Sequence, residues 1–226
     1  MNFERMNDFD VITKKGTSDK AIVVLHGYGA SFQDLAPLHR YLDPAGEFSW
    51  YFIDGPLSVD VGMGMMGKAW FPIDMMGLQT ALATGTFEKV FADHSPEGLD
   101  EITNKVLGLL KSLREDFSKV FLGGFSQGSM VSSSVVMKDK DSADKLFLLS
   151  STIYDEKRFE SDAKNFSTIP TFQSHGSADP VLPVSMANKL NTVLKDIVEE
   201  YEYHPFSGGH EIPLPIIEKL KTFLQR

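Results

Sequence analysis

The chain has 226 residues, 42% of them hydrophobic and 23% charged, a balance that suits one folded α/β domain spanning 1–226. Its net charge of -9 speaks against a nucleic-acid partner, because such binding needs a basic face to displace counterions. With no cysteine, the chain excludes disulfides, thiolate metal sites and a cysteine nucleophile.

The first residues, Met1 to Asp8, carry no apolar stretch of signal-peptide type, and no run is long enough to cross a bilayer. The expectation is a cytoplasmic protein without stable membrane insertion. The first strand-like run is Ala21–Leu25, followed by His26-Gly27-Tyr28-Gly29 and a helix start at Ser31-Phe32-Gln33-Asp34. Ser49–Ile53 is a further strand candidate, and Asp54-Gly55-Pro56 after it reads as a turn. Then comes a methionine-rich stretch: Met63, Met65, Met66, Met75 and Met76, with Gly62, Gly64 and Gly67 between and Trp70 and Phe71 among them. Glycine loosens backbone and methionine adapts to irregular apolar shapes, so this segment is expected to be a flexible apolar loop.

A helix is predicted from near Ser95-Pro96-Glu97, with Leu99, Ile102, Val106, Leu109, Leu113 and Phe117 as its inward stripe. Val120–Leu122 is the next strand and runs into Gly124-Phe125-Ser126-Gln127-Gly128. Leu146–Leu149 and Thr171–Gln173 follow as strands, and the second leads into His175-Gly176-Ser177-Ala178-Asp179-Pro180. A helix after Pro183 turns Ala187, Leu190, Leu194 and Ile197 inward. Tyr201–Phe206 is the last strand candidate, followed by Ser207-Gly208-Gly209-His210-Glu211 and a closing helix with Ile216, Ile217, Leu220 and Phe223 inward. Continuous rather than alternating apolar runs are what strands buried on both faces require. Strands alternating with helices predict a doubly wound, mostly parallel sheet with helices on both faces, whose site lies beyond the carboxyl ends of the strands.

The motifs fall at those ends. A Gly-x-Ser-x-Gly between strand and helix has the form of a nucleophile elbow, in which Ser126 projects from a sharp turn and the flanking glycines let strand and helix backbones pass closely. A serine hydroxyl needs a base, and the base needs a carboxylate to hold its tautomer. In α/β hydrolases these occur in the order Ser, Asp, His, which Ser126, Asp179 and His210 satisfy. Asp54 and Asp74 precede Ser126 and break that order. His39 and His94 fall on or beside helices and His204 inside a strand, while His26 and His175 begin His-Gly turns and are expected to shape loops. An oxyanion hole needs two backbone N–H groups, expected from Tyr28 and Gln127. There is no Walker lysine and no Gly-x-Gly-x-x-Gly, so no nucleotide role is expected.

Leu25 to Gly29, Ala69-Trp70-Phe71, Gly123 to Gly128, His175 to Pro183 and Gly209-His210 together resemble the carboxylesterase, phospholipase and acyl-protein thioesterase family of α/β hydrolases, from about Ala21 to the C-terminus. Tyr28, Ser129 and Pro72 depart from the family's usual residues. The resemblance implies an α/β-hydrolase fold, a Ser126–Asp179–His210 triad and hydrolysis of esters or thioesters with no cofactor and no metal. It also places the methionine segment beside the acyl site, so Met65, Met66, Trp70, Phe71 and Leu182 are the candidate substrate-binding residues. The expected partner is a small-molecule or lipid-like acyl ester or thioester, or an acylated protein, and an exposed apolar flap would also suit a homodimer contact. Lysophospholipase and acyl-protein thioesterase activities are the alternatives within enzymes. A hydrolase-fold binding protein without turnover is the alternative outside them, against which an intact triad argues.

Overall fold

The computed structural model describes residues 1–92 and 95–226; His94 lies outside them. The strands are β1 (Asn2–Met6), β2 (Phe9–Lys14), β3 (Lys20–Leu25), β4 (Ser49–Ile53), β5 (Leu57–Asp60), β6 (Met66–Ala69), β7 (Lys119–Phe125), β8 (Lys145–Leu149), β9 (Thr171–Gly176) and β10 (Tyr201–Phe206). The helices are α1 (Phe32–Leu35), α2 (His39–Leu42), α3 (Met75–Thr84), α4 (Phe87–Ala92), α5 (Leu99–Leu113), α6 (Gln127–Lys138), α7 (Glu156–Asp162), α8 (Val184–Ile197) and α9 (Leu214–Gln225). Among the described residues the main sheet runs β1-β2-β4-β3-β7-β8-β9-β10, and β5 and β6 pair separately as a hairpin. All pairings from β4 across to β10 are parallel; β2 is antiparallel to both β1 and β4.

The unbroken apolar runs follow from burial of both sheet faces. Because side chains alternate along a strand, Ala21, Val23 and Leu25 enter one core while Ile22 and Val24 enter the other. Phe121 and Phe147 likewise face away from Val120, Leu122, Leu146 and Leu148. The first core is covered by residues of α3, α5, α6 and α8, the second by α1, α2 and α9. The first helix begins with a capping box: Ser31 Oγ accepts from Gln33 N–H, and Asp34 Oδ2 accepts from Ser31 N–H at 2.7 Å.

Several elements differ from expectation. The β1–β2 hairpin was not anticipated. Most of β1 is exposed and polar, but Asn7 and Asp8 both hold positive φ, as a two-residue hairpin turn requires. The methionine stretch is not one flexible loop: Met63, Met65 and Met66 sit on a hairpin paired from Leu57↔Ala69 to Asp60↔Met66, and Met75 and Met76 open α3. Helix α5 starts at Leu99, after Gly98 at φ 78, so Ser95 does not cap it. Its stripe from Leu99 to Leu113 is buried, whereas Phe117 lies past its end. Asp74, which had no assigned role, caps α3 by accepting from Gly77 N–H at 2.9 Å.

Candidate active site

Strand β7 ends at Phe125 and α6 begins at Gln127, leaving Ser126 alone at the junction with φ 54 and ψ −119. A non-glycine residue in that region is strained, and it holds only where surroundings over-determine it. Here the constraint is close passage. A Cβ on Gly128 would stand 2.2 Å from Leu25 O, and one on Gly124 would stand 2.4 Å from the carbonyl carbon of Gly128. Ser126 N–H is fixed by Leu149 O at 2.9 Å, and Ser129, the departure from the family pattern, returns its hydroxyl to Ser126 O.

The loops after β9 and β10 bring Asp179 and His210 together. His210 Nδ1–H donates to Asp179 Oδ2 at 2.7 Å. The other carboxylate oxygen accepts from Val181 N–H at 2.8 Å and Leu182 N–H at 2.9 Å. Burial pushes the Asp179 carboxyl up, but the hydrogen bonds from His210 and from these amides outweigh it and hold it below its ordinary range. The two loops are stitched by Ala178 N–H donating to Gly208 O. The His210 ring lies against Phe125, with centroids 4.7 Å apart, which brings it beside the elbow. Ser126 Oγ makes no hydrogen bond among the described residues, so it is not yet joined to the imidazole; such bonds are often long before substrate arrives.

The loop Gly27-Tyr28 crosses over the elbow, since a Cβ on Gly27 would lie 3.3 Å from that of Ser126. Among the described residues neither Tyr28 N–H nor Gln127 N–H donates to another group. Both are therefore available to a ligand, and Gln127 N–H carries the positive end of α6 as well.

The remaining candidates divide. Met65 and Met66 are exposed at the hairpin, as is Met63, whose side chain is fully accessible. Trp70 and Phe71 are 2% and 1% exposed and belong to the core, so neither presents surface to a ligand in this structure. Leu182 is also buried. Sequence reading missed how the Gln127 side chain is used: its Oε1 accepts from Trp70 N–H at 2.9 Å and its Nε2 donates to Phe71 O at 2.7 Å. Partners nearly sixty positions apart leave no local signal.

The set-aside residues have local work. His26 Nδ1–H donates to Gly27 O, and its Nε2 accepts from Gly55 N–H at 2.9 Å. Burial drives its pKa down to about 4, so it is neutral near pH 7. His175, also held neutral by burial, donates from Nε2 to Leu182 O and so closes the acid loop. Asp54 accepts from Phe32 N–H at 2.6 Å at the start of α1. His204 pairs with Glu202, and His39 donates to Ala36 O. Among the described residues no group of three or more acidic or histidine side chains could hold a metal ion, and no helix is long and apolar enough to cross a membrane.

The model of the phospholipase/carboxylesterase family matches residues 6–226. Acyl-protein thioesterase 1 of Saccharomyces cerevisiae is 26% identical over 233 residues, covering 98% of this chain and 98% of that protein. Among solved structures, esterase PE8 aligns with a TM-score of 0.77 at 20% identity, covering 96% of this chain and 98% of that one. Acyl-protein thioesterase 2 of Zea mays aligns with a TM-score of 0.71 at 22% identity, covering 96% and 97%. At such identities the structural likeness speaks for the fold, which is that of the α/β hydrolases.

Proposed function

The chain belongs to the phospholipase/carboxylesterase family of hydrolases, and on that premise we propose that Ser126 is the nucleophile of an esterase or thioesterase that works through an acyl-enzyme. Ser126 Oγ attacks the acyl carbonyl while His210 Nε2 takes its proton. The C–O or C–S bond breaks as His210 returns that proton to the leaving alcohol or thiol. Water, deprotonated by the same imidazole, then releases the acid and frees Ser126. Asp179 keeps the proton of neutral His210 on Nδ1, leaving Nε2 as the base, and stabilises the imidazolium. Tyr28 and Gln127 N–H groups receive the oxyanion.

One observation carries this reading: the 2.7 Å hydrogen bond between His210 and buried Asp179, with the imidazole packed on the residue preceding the strained serine. A histidine–carboxylate pair poised beside a strained serine has no use in a protein that only binds. For the substrate, the hairpin's exposed methionines support an apolar acyl chain, with Met65 and Met66 as its wall. The names of the yeast and maize relatives favour an acylated protein as its carrier over a lysophospholipid.

A fluorophosphonate probe tests the mechanism. Mass spectrometry of the digested adduct should place the label on Ser126 of folded protein. An unlabelled protein would favour the binding-module reading, and a label on another residue would displace Ser126. A series of esters and thioesters of rising acyl length then ranks the substrates.

A further inference from the structure

The segment Gly67–Phe71 is tied to both sides of the elbow at once. On one side, Gly29 N–H donates to Lys68 O at 2.8 Å, Lys68 N–H donates to Ala30 O at 2.8 Å, and Trp70 Nε1–H donates to His26 O at 2.7 Å. These bonds bracket Tyr28 and leave its own N–H unpaired. On the other side the Gln127 side chain, 1% exposed, spans Trp70 N–H and Phe71 O. That leaves the Gln127 main-chain N–H free as well. The fit is tight: a Cβ at Gly67 would stand 2.0 Å from Gly29 O.

We infer that Gly67–Phe71, clamped by the Gln127 side chain, is the brace that sets the spacing of the two oxyanion donors, so that Gln127 is a positioning residue through its amide as well as a donor through its backbone. The inference rests on the oxyanion reading above. Donors stabilise developing charge only when held in place beforehand, because reorganising them during the reaction cancels the gain. Loop amides such as Tyr28 N–H are held by what fixes their neighbours. Here His26, Gly29, Ala30 and Gln127 are all fixed to this one short segment. The same contacts explain why Trp70 and Phe71, with Gly67 and Ala69, are buried between the exposed Met65–Met66 and Met75–Met76.

The test is Gln127→Met, which keeps the length of the side chain and removes both hydrogen bonds. With a short-chain ester, kcat per titrated active site should fall by about 10²-fold, the scale of losing one oxyanion donor, while KM stays within about threefold. Affinity for a trifluoromethyl ketone, whose adduct with the serine carries the oxyanion, should fall in step with kcat. A purely structural role would reduce the titrated fraction and leave both per-site quantities unchanged, and that result overturns the brace. Should Gln127→Met not fold, Trp70→Phe decides the matter: it removes the indole bond to His26 O, and some core packing against Phe9 and His26, while keeping the backbone bond to Gln127, and thermal melting gauges the packing loss separately. A kcat loss of about tenfold at constant KM supports the brace, and an unchanged kcat and ketone affinity overturn it. Ser126→Ala is measured alongside: turnover retained there defeats the oxyanion reading itself, whereas an inactive Ser126→Ala with a fully active Gln127→Met defeats the brace alone.

Discussion

The two flanks of Ser126 are built differently. On the Asp179–His210 flank the supporting bonds are short-range or join neighbouring loops: Asp179 holds the amides two and three residues on, and Ala178 bonds to Gly208 between the loops that follow β9 and β10. On the hairpin flank the bonds reach from Lys68 to Gly29 and from Gln127 to Trp70 and Phe71, and the tip carries exposed methionines. The first flank is a polar device whose groups must be charged or hydrogen-bonded to work. The second is a backbone frame with an apolar rim. The difference teaches that chemistry can be concentrated in short motifs while the frame that aligns it is distributed over the chain.

If the first flank is where the chemistry lies, its removal should have the largest effect. Ser126→Ala should lower kcat by roughly 10⁴-fold or more, and Asp179→Asn by about 10³–10⁴-fold because His210 then adopts the wrong tautomer. Steady-state hydrolysis of a p-nitrophenyl ester measures both. An Asp179→Asn enzyme with normal turnover would erase the contrast between the flanks and return attention to Asp54, which lies 3.6 Å from His26 instead.

Acid should weaken both flanks through a buried neutral histidine, His175 in the loop that carries Asp179 and His26 beneath the hairpin. His26 sits under the hairpin flank, accepting from Gly55 N–H at Nε2 and from the Trp70 indole at its carbonyl. Its folded pKa is about 4 against an ordinary value of 6.5, so between those limits the unfolded chain binds more protons than the folded one. Stability is therefore full above about pH 6.5 and declines as pH falls toward 4, by on the order of 3 kcal/mol in all and roughly 2 kcal/mol between pH 7 and 5. The Asp179 carboxyl, held low, stays ionised across that window. Denaturant unfolding at pH 7 and pH 5 measures the loss, and His26→Gln, which does not titrate there, should show a smaller one. An equal loss in both proteins would remove His26 as the cause.

This division also decides what the sequence reveals. Strands β3, β7, β8 and β9 are legible because burial on both faces leaves an uninterrupted apolar run. Ser126, Asp179 and His210 can be proposed from the sequence because each directly follows a strand or sits in a glycine-marked loop. By contrast β1 is polar and pairs on one side only, and β5–β6 is masked by the glycines of its turn. Trp70 and Phe71 read as pocket wall because aromatic residues among methionines suit a ligand and a core equally well. Only their three-dimensional neighbours, Gln127 and His26, separate the two uses.

The smallest expected effect is the one that defines the hairpin flank. Met63, Met65 and Met66 bury little in the folded chain, so replacing all three with serine should move stability by no more than about 0.5 kcal/mol per site. A long acyl chain lying along them would cover part of that surface. At about 25 cal/mol per Å², some tens of Å² of lost apolar contact lower kcat/KM roughly three- to tenfold. A short acetyl ester cannot reach the hairpin tip and should be hydrolysed as before. The triple variant is therefore compared with the parent on acyl thioesters of two and sixteen carbons, with thermal melting as the control. A loss confined to the long chain assigns the rim to substrate. An equal loss on both chains would mean that the rim acts through the oxyanion loop it borders, and the two flanks would then serve the same chemical step.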